Sequence, residues 1–188
     1  INLKKYDVIV SVDCSSKRQL KFTETIKNFD KYKIPIINID HHPTNNSFGK
    51  INLIDPDSSS TTEILYKYFK YLVFPITADI ATCLLAGIYC DTGSFMHSNT
   101  SAYNFMIAED LMKKGADHKK IVKNMFRTKT VNQLKLWGSV FLNARKNKKN
   151  TIVSKVTGED FEKTNTNPRD LSGIINYLNS VPGSKMSI

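Results

Sequence analysis

Hydrophobic and polar positions alternate in blocks along the chain, and the blocks predict strands followed by helices. Residues 8–12 are a short β-branched run, the pattern of a strand buried on both faces, and the run ends at Asp13. A polar, helix-compatible stretch, residues 15–29, leads to a second apolar run, residues 34–39, which ends at Asp40. The spacing allows one right-handed crossover helix, giving a βαβ unit. A further strand is predicted at 51–54. It runs through Asp55, Pro56 and Asp57 into a helix opened by Ser60, Thr61, Thr62 and Glu63, the pattern of a capping box. Ile64, Leu65, Tyr68, Phe69 and Leu72 follow at helical spacing until Pro75. Ile80, Ala81, Leu84, Leu85 and Ile88 predict a second, more buried helix.

Residues 103–114 and 119–126 read as two more helices, separated by Gly115, Ala116 and Asp117. Residues 131–144 read as a longer, partly exposed helix with Leu134, Leu136, Trp137, Val140, Phe141 and Leu142 as its apolar members. Beyond a break at 147–150 the pattern predicts a strand at 151–156, polar loops, a short helix around 171–178 and a strand beginning at 185–188. The expected architecture is α/β: a doubly wound, mostly parallel sheet over residues 1–126, a linker helix at 127–150, and at 151–188 the start of a second, smaller α/β domain. That start is expected to be too short to close a sheet of its own.

Composition narrows the class. The 188 residues suffice for a core without disulfide or metal staples. No apolar run approaches the roughly 20 residues that span a bilayer. The charged start leads straight into a strand pattern, so no signal peptide is expected. The chain opens on Ile1 rather than Met, and further residues are expected upstream. Cys14, Cys83 and Cys90 form an odd set without C-x-x-C spacing, which points to reduced thiols and a cytoplasmic protein. The net charge of +10 attracts polyanions, yet Lys and Asn are spread along the chain as in a composition bias. The dense cluster is at 144–149, and it reads as a solvated helix end.

Three acidic sites stand out by position. Asp13 and Asp40 each cap an apolar strand, and Asp91 follows the apolar residues Ala86, Gly87, Ile88, Tyr89 and Cys90. Open α/β sheets bind ligands beyond the carboxyl ends of their strands, where residues of neighbouring strands can meet at one ion. Carboxylate and imidazole together suit Mn²⁺ or Mg²⁺, with Co²⁺ or Zn²⁺ as alternatives. A lone Asp at a strand end is more commonly a turn or capping residue, which is the competing reading of Asp13 and Asp91. Asp40-His41-His42 is harder to explain that way, because two adjacent imidazoles at a buried strand end each need partners.

Residues 36–42, ending in Asp40-His41-His42, resemble the signature of the DHH/DHHA1 phosphoesterase superfamily. Other motifs follow in order. Val10, Ser11, Val12 and Asp13 resemble the strand ending in a bridging Asp. Residues 59–65 resemble the small-residue helix start, and residues 85–95 the "GI-x-x-DTG-x-F" motif, with Asn99 and Thr100 in the turn beyond. The likeness runs from Tyr6 to Phe126, the stretch after Thr151 resembles the start of the DHHA1 substrate-binding domain, and the details are most like the bacterial oligoribonuclease/pAp phosphatase branch.

The resemblance implies a hydrolase of short RNA and/or of 3′-phosphoadenosine 5′-phosphate (pAp). It implies two divalent metal ions as cofactors, Mn²⁺ first, with Mg²⁺ or Co²⁺ as alternatives, which activate a water and neutralise phosphoryl charge. Asp13 would bridge the ions and His41 and Asp91 would bind the second. Asp40 would orient the His41 imidazole or the nearby backbone, and His42 would contact the scissile phosphate or the leaving oxygen. The family's first motif, a His and two Asp, would lie before Ile1 and its glycine-rich GGGH motif after Ile188, so the 188-residue piece alone is expected to be inert or nearly so. His97 is a candidate substrate contact. His118 reads as a surface residue, Cys14 and Cys90 as packing residues, and Trp137 as core rather than as a base-stacking platform. The alternatives are a family II inorganic pyrophosphatase, a cyclic-dinucleotide phosphodiesterase, a single-strand DNA exonuclease, and a non-catalytic nucleotide-binding protein. A homodimer stays open.

Overall fold

A computed structural model of the chain describes residues 5–20 and 34–188. It divides into two compact units, Ile1–Ile121 and Val122–Ile188. In the first unit, β1 (Ile9–Val12), β2 (Ile36–Asp40) and β3 (Ile51–Ile54) form a parallel sheet in the order β1-β2-β3. Ser11 pairs with Asn38, and Asn38 with Asn52. The register sets Asp13 and Asp40 side by side at the carboxyl edge of the sheet: the Asp13 amide donates to the Ile39 carbonyl at 2.9 Å. Only the first residues of the predicted 15–29 helix are described, and they form a short 3-10 turn, Lys17–Gln19. The rest of that crossover, residues 21–29, lies outside the described residues.

Helix α1 (Thr61–Tyr71) packs on β2 and on α2 (Ala78–Asp91), which in turn packs on α3 (Ala102–Lys113). The Ser60 hydroxyl caps α1 by accepting from the Glu63 amide at 3.1 Å. Glu63 reaches one residue beyond the expected capping box, to the amide and hydroxyl of Ser59. The buried face of α1 also differs from the apolar stripe. Thr61, Glu63, Ile64 and Tyr66 are buried, while Tyr68 and Leu72 are exposed. Tyr66 goes inward because its hydroxyl finds a partner there, Asp110 Oδ2 at 2.8 Å. In α2, Ala81, Leu84, Leu85 and Ile88 are buried, as their spacing predicts. No helix among the described residues is long and apolar enough to cross a membrane.

Helix α4 (His118–Phe126) contains the boundary between the units. The second unit contains α5 (Val131–Leu142), β4 (Arg145–Lys146), β5 (Thr151–Val153), α6 (Gly158–Thr164), α7 (Ile174–Asn179) and β6 (Met186–Ser187). Its core is Trp137, Val140, Ile152, Ile174 and Leu178. Three expectations change here. First, residues 145–187 do close a sheet of their own, of three strands in the order β4-β5-β6, because the returning segment at 186–187 pairs in parallel with β5. Second, the basic cluster is a strand and a turn rather than a helix end. Third, the stretch read as polar loops holds α6, whose start is fixed by Asp160 accepting from the amide and hydroxyl of Thr157. Trp137 belongs to the core, and its indole N–H donates to the Asp170 carbonyl at 2.9 Å.

Leu85 is 1% exposed in the middle of α2. Leu85→Ala is expected to cost about 2–5 kcal/mol in urea unfolding, from lost burial and the cavity left behind. A loss under about 0.5 kcal/mol would mean that α2 is not packed as described.

Candidate metal and phosphate site

Each element ends where its polar residues can meet. Asp13 follows β1 with φ 60°, a left-handed conformation that Asp tolerates better than most side chains. Asp40 is the last residue of β2, and His41 and His42 follow it. Asp91 comes from a helix rather than a strand, as the last residue of α2. The structure brings these residues together. His41 Nε2 lies 3.6 Å from Asp13 Oδ1 and 3.7 Å from Asp91 Oδ2. Asp13, His41 and His42 each offer a donor atom within 4.8 Å of the others'.

The hydrogen bonds decide what each imidazole can do. His41 Nδ1 faces the Ser58 carbonyl at 3.3 Å. A carbonyl only accepts, so Nδ1 carries the proton and Nε2 presents a lone pair toward the two carboxylates. His42 differs. Its Nδ1 donates to Asp40 Oδ1 at 2.7 Å and is thereby occupied. Asp40 therefore orients His42, whereas the backbone carbonyl of Ser58 orients His41. The Asp40 carboxylate is fully buried and also accepts from Asn45, which reaches across to the Cys14 carbonyl as well. Burial alone would raise Asp40's pKa, but the bonds from His42 and Asn45 outweigh it and hold the pKa below the usual value. Reciprocally, the bond to Asp40 raises the pKa of His42 against the effect of burial.

Asp91 titrates above the ordinary carboxylate range, first because it is partly buried and then because it faces the charge of Asp13. It also sits at the carboxyl end of α2, where the helix dipole favours a cation and opposes an anion. The site thus carries negative charge that the surrounding chain does not neutralise. Two donors bound about 2.1 Å from one ion stand about 3.0 Å apart at right angles and about 4.2 Å apart when opposite. The observed 3.6 and 3.7 Å fall inside that range, so His41 can share a divalent cation with either carboxylate, and the trio whose donors all lie within 4.8 Å is Asp13, His41 and His42.

A buried network supports the site, and most of it is not apparent from motif spacing. Glu63 accepts from Ser59 and from Asn104 Nδ2 at 2.7 Å and pairs with Lys67 at 2.9 Å. Lys67 also reaches Asp55, and Ser58 donates to Asp55 at 2.6 Å. These bonds fix the 58–61 segment, which supplies the Ser58 carbonyl to His41 and the Thr61 hydroxyl to Asp13 Oδ1 at 2.9 Å. Asn99 ties the same segment to the end of α2, donating to the carbonyls of Ser59 and Asp91. The run of five small hydroxyl residues at 58–62 is the sequence signal for this segment, whereas nothing local marks Asn104.

After Asp91 the chain makes a left-handed turn, with φ of 54°, 61° and 66° at Gly93, Ser94 and Phe95. His97 folds back over Gly93, where any β-carbon would collide with its ring, and its Nδ1 faces the Asp91 carbonyl at 3.2 Å. His97 therefore lies beside the site and is exposed. His118 is half-buried against Tyr89, at 2.9 Å from its hydroxyl, rather than a free surface group. Cys90 is exposed on α2 and so is not a packing residue of a strand.

Residues 2–88 match the profile of the DHH family, N-terminal domain. Over those residues the chain carries the N-terminal domain of the DHH family. Within the DHH superfamily it is similar to the bifunctional oligoribonuclease and PAP phosphatase NrnA of Thermus thermophilus, with 39% identity over 77 residues, 41% of this chain and 24% of the relative. The Bacillus subtilis protein of that name is 25% identical over 151 residues, 79% of this chain and 48% of the relative. The DHH chain thus spans at most about half the length of these relatives. A crystal structure of an exopolyphosphatase-related protein from Bacteroides fragilis superposes with a TM-score of 0.88 at 25% identity, covering 96% of this chain and 54% of that one.

The Asp40–His42 bond has a measurable consequence. Its charged form is fully present below the ordinary range of His and is lost as pH rises through the raised pKa of His42. Asp40→Asn is expected to bring the His42 pKa back down toward about 6.5, read by NMR titration of the ring protons. An unchanged pKa would show that Asp40 does not hold this imidazole.

Proposed function

We propose that this chain forms the metal-holding part of a phosphoesterase that hydrolyses short oligoribonucleotides and pAp. The observation that carries the reading is the convergence of Asp13, His41 and Asp91, from β1, β2 and α2, with His41 Nε2 3.6 and 3.7 Å from the two carboxylates. Relatives named as oligoribonuclease and PAP phosphatase support the substrate class. Asp13, His41 and Asp91 hold a divalent cation, with Mn²⁺ the metal we propose. Bound there, such a cation supplies water activation and charge neutralisation at the phosphoryl oxygens.

The chain's own residues do the rest. Asp13 presents one carboxylate oxygen to the cation while accepting the Thr61 hydroxyl. Asp40 fixes the His42 ring, keeps the proton on Nδ1 and favours the charged imidazole. His42 then offers Nε2–H to a phosphoryl oxygen or to the leaving oxygen, which needs a proton as its bond to phosphorus breaks. His97, over Gly93, touches the substrate from the side of α2. Three donors saturate one ion at most, so a second ion needs ligands from outside this set. On that ground the 188-residue chain alone turns over substrate at or near background.

The test is Mn²⁺-dependent hydrolysis of a labelled RNA trimer, pAp and pyrophosphate, run on this chain and on the complete gene product that contains it. The complete product is expected to cleave RNA and pAp, and to lose activity with EDTA and on Asp13→Asn. His42→Ala is expected to cost about 10²–10⁴-fold in rate with Mn²⁺ affinity retained. Pyrophosphate as the preferred substrate, or full activity after Asp13→Asn, would contradict the proposal.

A further inference from the structure

Helix α2 has a glycine on the face that serves the site. Gly87 stands four residues before Asp91, so the two lie on the same side of the helix, about one turn apart. That side meets the start of α1. A β-carbon built on Gly87 would lie 3.0 Å from Thr62 Cβ, 2.5 Å from its Oγ1 and closer still to its Cγ2. Carbon atoms in ordinary contact are about 3.5–4.0 Å apart, so even a methyl group here requires a displacement of about 1 Å or more. Rotating Thr62 does not make the room. Cγ2 and Oγ1 both stand beside Gly87, so any other staggered position leaves one of them there, and Oγ1 is bonded to the Ser60 hydroxyl at 2.9 Å. Gly138 in α5 differs, since its β-carbon would meet nothing within 4 Å.

The gap closed by this contact is the one that Asp91 has to cross. The start of α1 is joined to the other site residues: the Ser58 carbonyl faces His41 Nδ1, and the Thr61 hydroxyl donates to Asp13. Asp91 comes from α2 alone, and its Oδ2 lies 3.7 Å from His41 Nε2. Two donors on one ion stand at most about 4.2 Å apart, which leaves Asp91 a margin of about half an ångström. A displacement of α2 by a β-carbon at Gly87 exceeds that margin. Asn99 spans the same gap beyond the helix, donating to the Ser59 carbonyl at 3.1 Å and to the Asp91 carbonyl at 3.2 Å. The bridge holds the end of α2, while the contact at Gly87 sets how near its last turn can come.

We propose that Gly87 is a positioning residue of the site: its bare backbone, packed on Thr62, sets the reach of Asp91 to His41. The consequence for metal binding rests on the proposed function above, whereas the positioning itself rests on the packing of α1 against α2.

The experiment takes the whole chain in five forms: native, Gly87→Ala, Thr62→Gly, both changes together, and Leu111→Ala as a buried control on α3. Circular dichroism establishes which of them fold. Metal-free crystal structures give the first readout. In Gly87→Ala the separation of His41 Nε2 and Asp91 Oδ2 is expected to exceed about 4.2 Å, with the separation of His41 and Asp13 unchanged. In the double variant both separations are expected at their native values. Calorimetric titration with Mn²⁺ gives the second readout. Its Kd is expected to rise about 10–100-fold in Gly87→Ala. The double variant is expected within about twofold of Thr62→Gly, and Leu111→Ala within about twofold of native, because a loss of stability elsewhere does not move Asp91.

An unmoved Asp91 in Gly87→Ala would overturn the proposal, as would an equal loss of Mn²⁺ affinity in Leu111→Ala. Should Gly87→Ala fail to fold, the double variant decides. A folded double variant with the native separation supports the proposal, and an unfolded one, or one with Asp91 displaced, overturns it. Absence of Mn²⁺ binding by the native chain defeats the metal reading instead, and the crystal separations then decide the positioning role by themselves.

Discussion

Two carboxylates facing one imidazole across less than 4 Å are unfavourable unless a positive charge joins them. Asp13 and Asp91 stand in that relation, with His41 between them, and the pKa of Asp91 is raised by burial first and then by the charge of Asp13. Much of the first unit can be read as the frame that enforces it. The parallel register places Asp13 beside Asp40, α2 delivers Asp91 at its carboxyl end, and the 58–61 segment turns His41 so that its free nitrogen points inward. The Thr61 hydroxyl and the Ser58 carbonyl act on Asp13 and His41 from opposite chemical roles, one donating and one accepting. Together they leave negative charge and a lone pair exposed where a cation fits.

The frame holds because its polar groups are satisfied by one another. Glu63, 4% exposed, is stabilised as an anion by Lys67, Ser59 and Asn104. A buried charge with those bonds is tolerated, and the same charge with one partner removed is costly. The neighbouring imidazoles serve different ends on this account. In the proposed function His41, bound to a neutral carbonyl, serves as a ligand, while His42, bound to a buried carboxylate, serves as a proton donor. Adjacent positions in the chain are thus divided in chemistry by the atom each Nδ1 meets.

How much of this is legible in the sequence depends on how local the cause is. The strand ends at Asp13 and Asp40 follow from short β-branched runs, and the buried face of α2 follows from the spacing of Ala81, Leu84, Leu85 and Ile88. The α/β class is readable on that basis together with the family motifs, and so is the meeting of Asp13, His41 and Asp91 in one place. The inward turn of Tyr66 was not, because its cause is Asp110, 44 residues away. The partner of His41 was hidden for the same reason. It is a backbone atom 17 residues on, and no side-chain pattern marks a carbonyl. In the second unit the strands at 151–153 and 186–187 fall where the pattern predicts them, but the two-residue strand at 145–146 does not show in it. The strand at 145–146 exists through its antiparallel pairing with β5, and pairing leaves almost no trace in so short a window.

The most direct measurement of the central claim is an anomalous-scattering map from crystals of this chain grown with Mn²⁺. The account predicts one strong peak bonded to Asp13, His41 and Asp91, with the Ser58 carbonyl still bound to His41 Nδ1. A peak elsewhere in the molecule, or none beside these three side chains at saturating Mn²⁺, would contradict it.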